Sequence, residues 1–187
     1  MHSRVLIRVL VAALAAAFAL VGGQAAAAPA PVGDRALAPR VLTYDASASA
    51  EFRAAVDRGA AIWNQSVESV ELRPARAGQR ADIRILADNG WPRAMTTALG
   101  RGVVYMGRQA VDQGYDTVRI SAHELGHILG LPDRKPGPCS SLMSGSSAGT
   151  ACTNPYPNAA EKAEVEDNFG GALVRPAELP HKVMITD

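Results

Sequence analysis

The chain has 187 residues, with 19 Lys and Arg against 18 Asp and Glu, 4 His and 2 Cys. That length supports one modest domain. The near-neutral balance shows no basic stripe, repeat or heptad, which excludes the electrostatic footprint of a nucleic-acid binder, and the lack of any CxxC pair excludes a cysteine-built zinc finger.

Residues 1–28 read as a secretory signal peptide, with Arg4 and Arg8 ahead of the apolar run Val9 to Val21 and small residues at Ala26 to Ala28. A membrane anchor is the alternative, but so short a run followed by alanines and prolines reads against it. Residues 29–40 are proline-rich and read as a short propeptide or flexible arm, with the folded domain expected over 41–170 and a patternless tail over 171–187. Beyond residue 40 the charges are 15 basic against 17 acidic.

Arg40 to Tyr44 predicts a strand. Phe52, Val56, Ala60, Trp63 and Val67 then recur at helical spacing and predict a helix from about Ala50 to Gln65, with Trp63 as a core anchor. Val70 to Ala75 and Ala81 to Asp88 predict strands, and in the second Ala81, Ile83 and Ile85 alternate with Asp82 and Arg84, so one face is buried. Asn89 to Arg93 reads as a turn, followed by strands at Ala94 to Leu99 and Val103 to Gly107. Tyr115 to Gly130 reads as a helix, and Asn158 with Glu161 as a capping box for a last helix ending at Phe169. The order predicts an α+β fold: a small mixed sheet packed on an N-terminal helix and the helix at Tyr115 to Gly130, with a C-terminal helix after them.

The chemistry lies in Ser121 to Asp133, SAHELGHILGLPD. His123 and His127 are four apart, so on a helix their imidazoles share one face and can aim nitrogen at one point. Zinc accepts such ligands at roughly 2.0–2.1 Å. Glu124, beside the first histidine, is placed to take a proton from a zinc-activated water without being a ligand. Val118, Ala122, Leu125 and Leu129 form a separate apolar stripe, so the helix is expected to show one core face and one metal face. Gly130 ends the helix where a sharp turn suits glycine, and Asp133 is expected to fold back as the third ligand. Cys139 and Cys152, an even count in an exported chain, predict a disulfide, with two free thiols as the alternative.

His123, Glu124, His127, Gly130 and Asp133 match HExxHxxGxxD, and Gly137 to Asn158 continues with CSSLMSG. In these residues the chain resembles the snapalysin family, small secreted neutral metalloproteases of M7 type within the metzincin clan, over roughly Val41 to Phe169. The resemblance implies a metzincin-like zincin fold and zinc-dependent endopeptidase activity, with a preference for an aromatic residue after the scissile bond. It implies that Met143 is the Met-turn residue under the metal and that the strand at Ala94 to Leu99 is the edge on which extended substrate lies. It also implies a calcium ion near the start of the active helix, with Asp116 as a ligand and Asp112 as a neighbour. A helix N-terminal acid is the competing reading of Asp116. The family's tyrosine two residues after the aspartate is Lys135 here, read as facing solvent or lending charge to the transition state, and Tyr156 is a conceivable substitute.

The expectation is therefore a secreted monomeric zinc endopeptidase acting on proteins or peptides. One catalytic Zn2+ is held by His123, His127 and Asp133, and Glu124 acts as general base. No nucleic-acid partner is expected, nor a membrane partner once the signal is removed. The rivals are a zinc amidase for non-peptide substrates and a catalytically weak zinc-stabilised binding protein.

Overall fold

In the computed structural model the chain is described over residues 38–170 and, by its backbone, over 183–186. The expected signal peptide, nearly all of the arm and most of the tail therefore lie outside the described residues. Among the described residues no helix is long and apolar enough to cross a membrane.

Alternating side chains build the sheet. In β1 (Arg40–Ala48), Leu42, Tyr44 and Ala46 point inward. The other strands are β2 (Val70–Pro74), β3 (Ile83–Asp88), β4 (Arg93–Ala98) and β5 (Arg101–Gly107), and the tail supplies β6 (Val183–Thr186). Ile83 and Ile85 are fully buried, as the period-two pattern predicts. The strand order is β2-β1-β3-β5-β4-β6. The strands from β2 to β5 in that order pair in parallel, whereas β4 runs antiparallel to both β5 and β6. The sheet is thus mixed, as expected. β1 extends beyond Tyr44 to Ala48, and β6 arises where no pattern was read.

Helix α1 (Arg53–Ser66) follows a 3-10 turn at Ala50–Phe52 and buries Val56, Ala60 and Trp63. The short α2 (Arg108–Asp112) was not predicted; it continues directly from β5. Helix α3 (Thr117–Ile128) carries the histidine motif, and α4 (Ala159–Gly170) closes the fold after the Met143 segment. The two long inner helices lie close because Gly59 gives α1 no side chain where it meets Ser121 and Ala122. Trp63 then donates its indole N–H to the Ala122 carbonyl at 2.8 Å. This is the core-anchor role expected of Trp63.

The apolar stripe expected of α3 is buried at Ala122, Leu125 and Leu129, with Val118 half-buried. Every residue from Arg119 to Ile128 is buried. One side packs on α1, β4 and β5, and the other is covered by the turns over Leu142–Ala148. The polar positions of α3 are therefore interior, and each needs a partner there.

Gly102 sets the distance between the β4–β5 pair and α3. A Cβ at this position would lie 2.3 Å from the Met95 carbonyl oxygen and 2.8 Å from Ile128 Cδ1. The first obstacle is strand backbone, which cannot swing aside. Gly102→Ala is expected to lower unfolding stability by about 2–3 kcal/mol, measured by urea titration, despite the usual gain from replacing glycine.

Candidate metal centre

Asp116 starts α3. Its carboxylate accepts from the Arg119 backbone N–H at 2.8 Å, an N-cap. At the other end, the Gly130 N–H bonds to His127 O and the Leu131 N–H to Gly126 O, both at 3.0 Å, with Gly130 at φ +97°. These two bonds form a Schellman turn, which a residue with a Cβ reaches only with strain. The turn does two things. It points the Leu131 carbonyl back at His127, whose Nδ1 donates to it at 2.8 Å. It also returns the chain so that Asp133 reaches the histidine face.

The geometry follows from these turns. His123 Nε2 and His127 Nε2 lie 3.0 Å apart, and Asp133 Oδ1 lies 3.3 Å from the first and 3.4 Å from the second. The rings are nearly perpendicular, at 86°. His123 Nδ1 is 3.0 Å from the Leu142 carbonyl. A carbonyl only accepts, so each Nδ1 carries the proton, and in the neutral ring Nε2 is left with a lone pair. Two lone pairs and a carboxylate oxygen thus face one another. That arrangement is repulsive by itself and attractive around a cation. Tetrahedral ligands at 2.0–2.1 Å from one ion stand about 3.3 Å apart, which matches these spacings. Two imidazoles and a carboxylate also form a zinc donor set. Among the described residues, this is the one group of three or more His, Cys, Asp or Glu side chains able to share an ion.

Asp133 is the more open member, its side chain 25% exposed. Lys135 Nζ sits 3.4 Å from Asp133 Oδ2. Lys135 is exposed, as the solvent-facing reading has it, and also pairs with the second oxygen of Asp133. Tyr156 is 44% exposed, and its hydroxyl accepts from Arg58 at 3.5 Å. Glu124 is fully buried on α3. Asp116 has its cap, and Asp112 ends α2; among the described residues neither belongs to a group of three or more His, Cys, Asp or Glu side chains able to share an ion.

Met143 is fully buried, and its Sδ would lie 2.8 Å from a Cβ placed on Gly126, between the two histidines. The segment that carries it is held from two sides. Glu161 accepts from Ser141 Oγ at 2.6 Å, from the Leu142 and Met143 N–H groups at 3.1 and 2.9 Å, and from the Asn158 N–H at 2.7 Å. Asn158 Oδ1 accepts in return from the Glu161 N–H at 3.0 Å, completing the capping box read in the sequence. Arg119, buried on α3, donates to the Ser141 carbonyl at 2.8 Å and to Ser144 Oγ at 2.9 Å. Neither clamp was identified from sequence. An arginine one helical turn before His123, flanked by Val118 and Ile120, is the signal that would have found Arg119.

Cys139 and Cys152 are disulfide-bonded, with Cα atoms 5.5 Å apart.

A family model described as the Streptomyces extracellular neutral proteinase (M7) family matches residues 40–171. The chain belongs to that family. The extracellular small neutral protease of Streptomyces caespitosus is 46% identical to this M7 peptidase over 126 residues, 66% of this chain and 92% of that one. The protein of the same name from Streptomyces coelicolor is 42% identical over 139 residues, 73% of this chain and 62% of its own length. An archaemetzincin from Methanopyrus kandleri superposes with a TM-score of 0.46 at 14% identity, over 72% of this chain and 97% of that one. Membership carries the reaction class and the compartment, those of an extracellular metallopeptidase.

Two predictions follow from the clamps on this M7 peptidase. Burial alone would raise the Glu161 carboxyl, but its four hydrogen bonds outweigh burial and hold it below the ordinary value near 4.5. Its stabilising effect is therefore present above that value and lost as pH falls through the depressed native one. Glu161→Ala is expected to cost about 3–5 kcal/mol at pH 7. The gap between wild type and Glu161→Gln should shrink toward pH 3 in urea titrations run across pH. Removing the disulfide by Cys139→Ser with Cys152→Ser opens a loop with a sequence separation of 13 and should cost about 3 kcal/mol. Peptidase activity should fall with it, because the same loop holds Met143 and the Leu142 carbonyl.

Proposed function

We propose that this M7 peptidase is a zinc endopeptidase that cuts extracellular proteins, with His123, His127 and Asp133 as ligands and Glu124 as general base. The observation that carries the reading is the convergence of two Nε2 atoms and Asp133 Oδ1 within 3.0–3.4 Å, with both Nδ1 atoms committed to backbone carbonyls. A bound zinc ion supplies a Lewis acid that polarises the scissile carbonyl and acidifies water at its open coordination position.

The chain's own residues do the rest. His123 and His127 present neutral nitrogen because Leu142 and Leu131 fix their tautomers. Asp133 contributes one negative charge, and Lys135 balances its outer oxygen. Glu124 takes the proton of the attacking water and returns it to the leaving amine. Its full burial suits that task, since a carboxylate shielded from bulk water keeps the proton near the reacting atoms. Extended substrate adds by strand pairing to the outer side of β4, the side on which β6 lies in the free chain. The preference for an aromatic residue after the cut bond rests on the family likeness.

Glu124→Gln is expected to retain zinc and lose at least a hundredfold in kcat/KM. His127→Ala is expected to lose the metal as well. Metal content by elemental mass spectrometry, alongside chelator-sensitive casein digestion, checks both. Bound zinc with casein left intact by the wild type would overturn the peptidase reading. A peptide series varied at the residue after the cut bond tests the aromatic preference.

A further inference from the structure

The tail returns to the sheet. Residues Val183–Thr186 lie antiparallel to β4, pairing Thr186 with Arg93, Ile185 with Ala94, Met184 with Met95 and Val183 with Thr96. β4 is not an arbitrary edge. Before it, Trp91 packs edge-on against Tyr115 at 5.8 Å, just ahead of α3. Beyond it, the Gly100 N–H donates to the Ile128 carbonyl at 2.9 Å, at the end of α3. The strand therefore runs alongside the part of α3 that carries His123 and His127, and the tail lies one strand further out, about 4.8 Å away. RAMTTA, the β4 sequence, has no proline and no lysine to discourage pairing. The tail sequence VMIT is rich in residues that favour extended chain.

We propose that Val183–Thr186 occupies, within its own molecule, the strand position that an extended peptide substrate takes, so that the tail competes with substrate for β4. This rests on the reading that substrate adds to that edge. The tail then acts as a tethered competitor whose local concentration is set by the chain joining it to α4. If it is docked four-fifths of the time, the apparent KM rises about fivefold while kcat is unchanged.

The test compares the secreted enzyme with a variant ending at Gly170 and with a full-length Met184→Pro/Ile185→Pro variant, whose tail lacks two backbone N–H groups. Both should show KM lowered about fivefold at constant kcat. A synthetic peptide of residues 181–187 added to the shortened enzyme should restore the higher KM competitively. Hydrogen exchange at Arg93–Ala98 should be slower in the full chain than in either variant. Unchanged KM in both variants, or β4 amides that exchange equally fast with and without the tail, would overturn the proposal. A separate arm tests the reading beneath it. In the Glu124→Gln enzyme ending at Gly170, an oligopeptide substrate should protect the β4 amides. Protection there with no tail effect leaves the substrate reading intact and sinks the tail. No protection sinks the substrate reading itself.

Discussion

The Nδ1–H groups of His123 and His127 each end on a backbone carbonyl, that of Leu142 for one and Leu131 for the other. The site depends on these two hydrogen bonds. They fix which nitrogen of each ring carries the proton, and so which nitrogen has a lone pair to give. They also fix ring orientation, which brings the two Nε2 atoms to 3.0 Å. The carbonyls come from different sources. Leu131 belongs to the Schellman turn that ends α3, so that partner is local. Leu142 lies in the segment that carries Met143, so the other partner is tertiary.

The tertiary partner needs support of its own, and two buried charges of opposite sign provide it. Arg119 holds carbonyls of the segment, and Glu161 holds its N–H groups. Each charge is buried yet well hydrogen-bonded, the condition under which a buried ion is tolerated. The pairing also lets α3 be interior on all sides. In the core of this helix the surrounding chain answers the arginine and both histidine Nδ1 atoms with backbone carbonyls. The second layer around the histidines is therefore built almost wholly from main chain, held in place by α3 on one side and α4 on the other.

Much of this was legible in the sequence because it is local. The i, i+4 histidines, the glycine after the helix and the aspartate three residues later are coupled through a single turn, and short-range geometry settles where they go. The period-two pattern of Ile83 and Ile85 and the stripe from Phe52 to Val67 were legible for the same reason. What escaped was non-local. Arg119 and Glu161 act on a segment more than fifteen residues away in sequence, and no periodicity encodes that. Glu161 was visible only as half of a capping box, since its bonds to Asn158 are local and those to Leu142 and Met143 are not. Lys135 is the surface residue it read as, but its pairing with Asp133 was hidden because it depends on Asp133 being folded back first. β6 has no alternation long enough to mark it, and its existence depends on the edge offered by β4.

The placement of Glu161 on α4 has a bearing on timing. A polypeptide that leaves a ribosome or an export channel N-terminus first delivers both imidazoles long before the carboxylate that anchors the loop behind them. Until α4 has emerged and docked, the segment that presents the Leu142 oxygen to His123 is held by Arg119 alone of the two buried charges, and its N–H groups lack the Glu161 carboxylate. The half-exported molecule thus carries the motif before the loop behind it is clamped from both sides, and α4 supplies the second side.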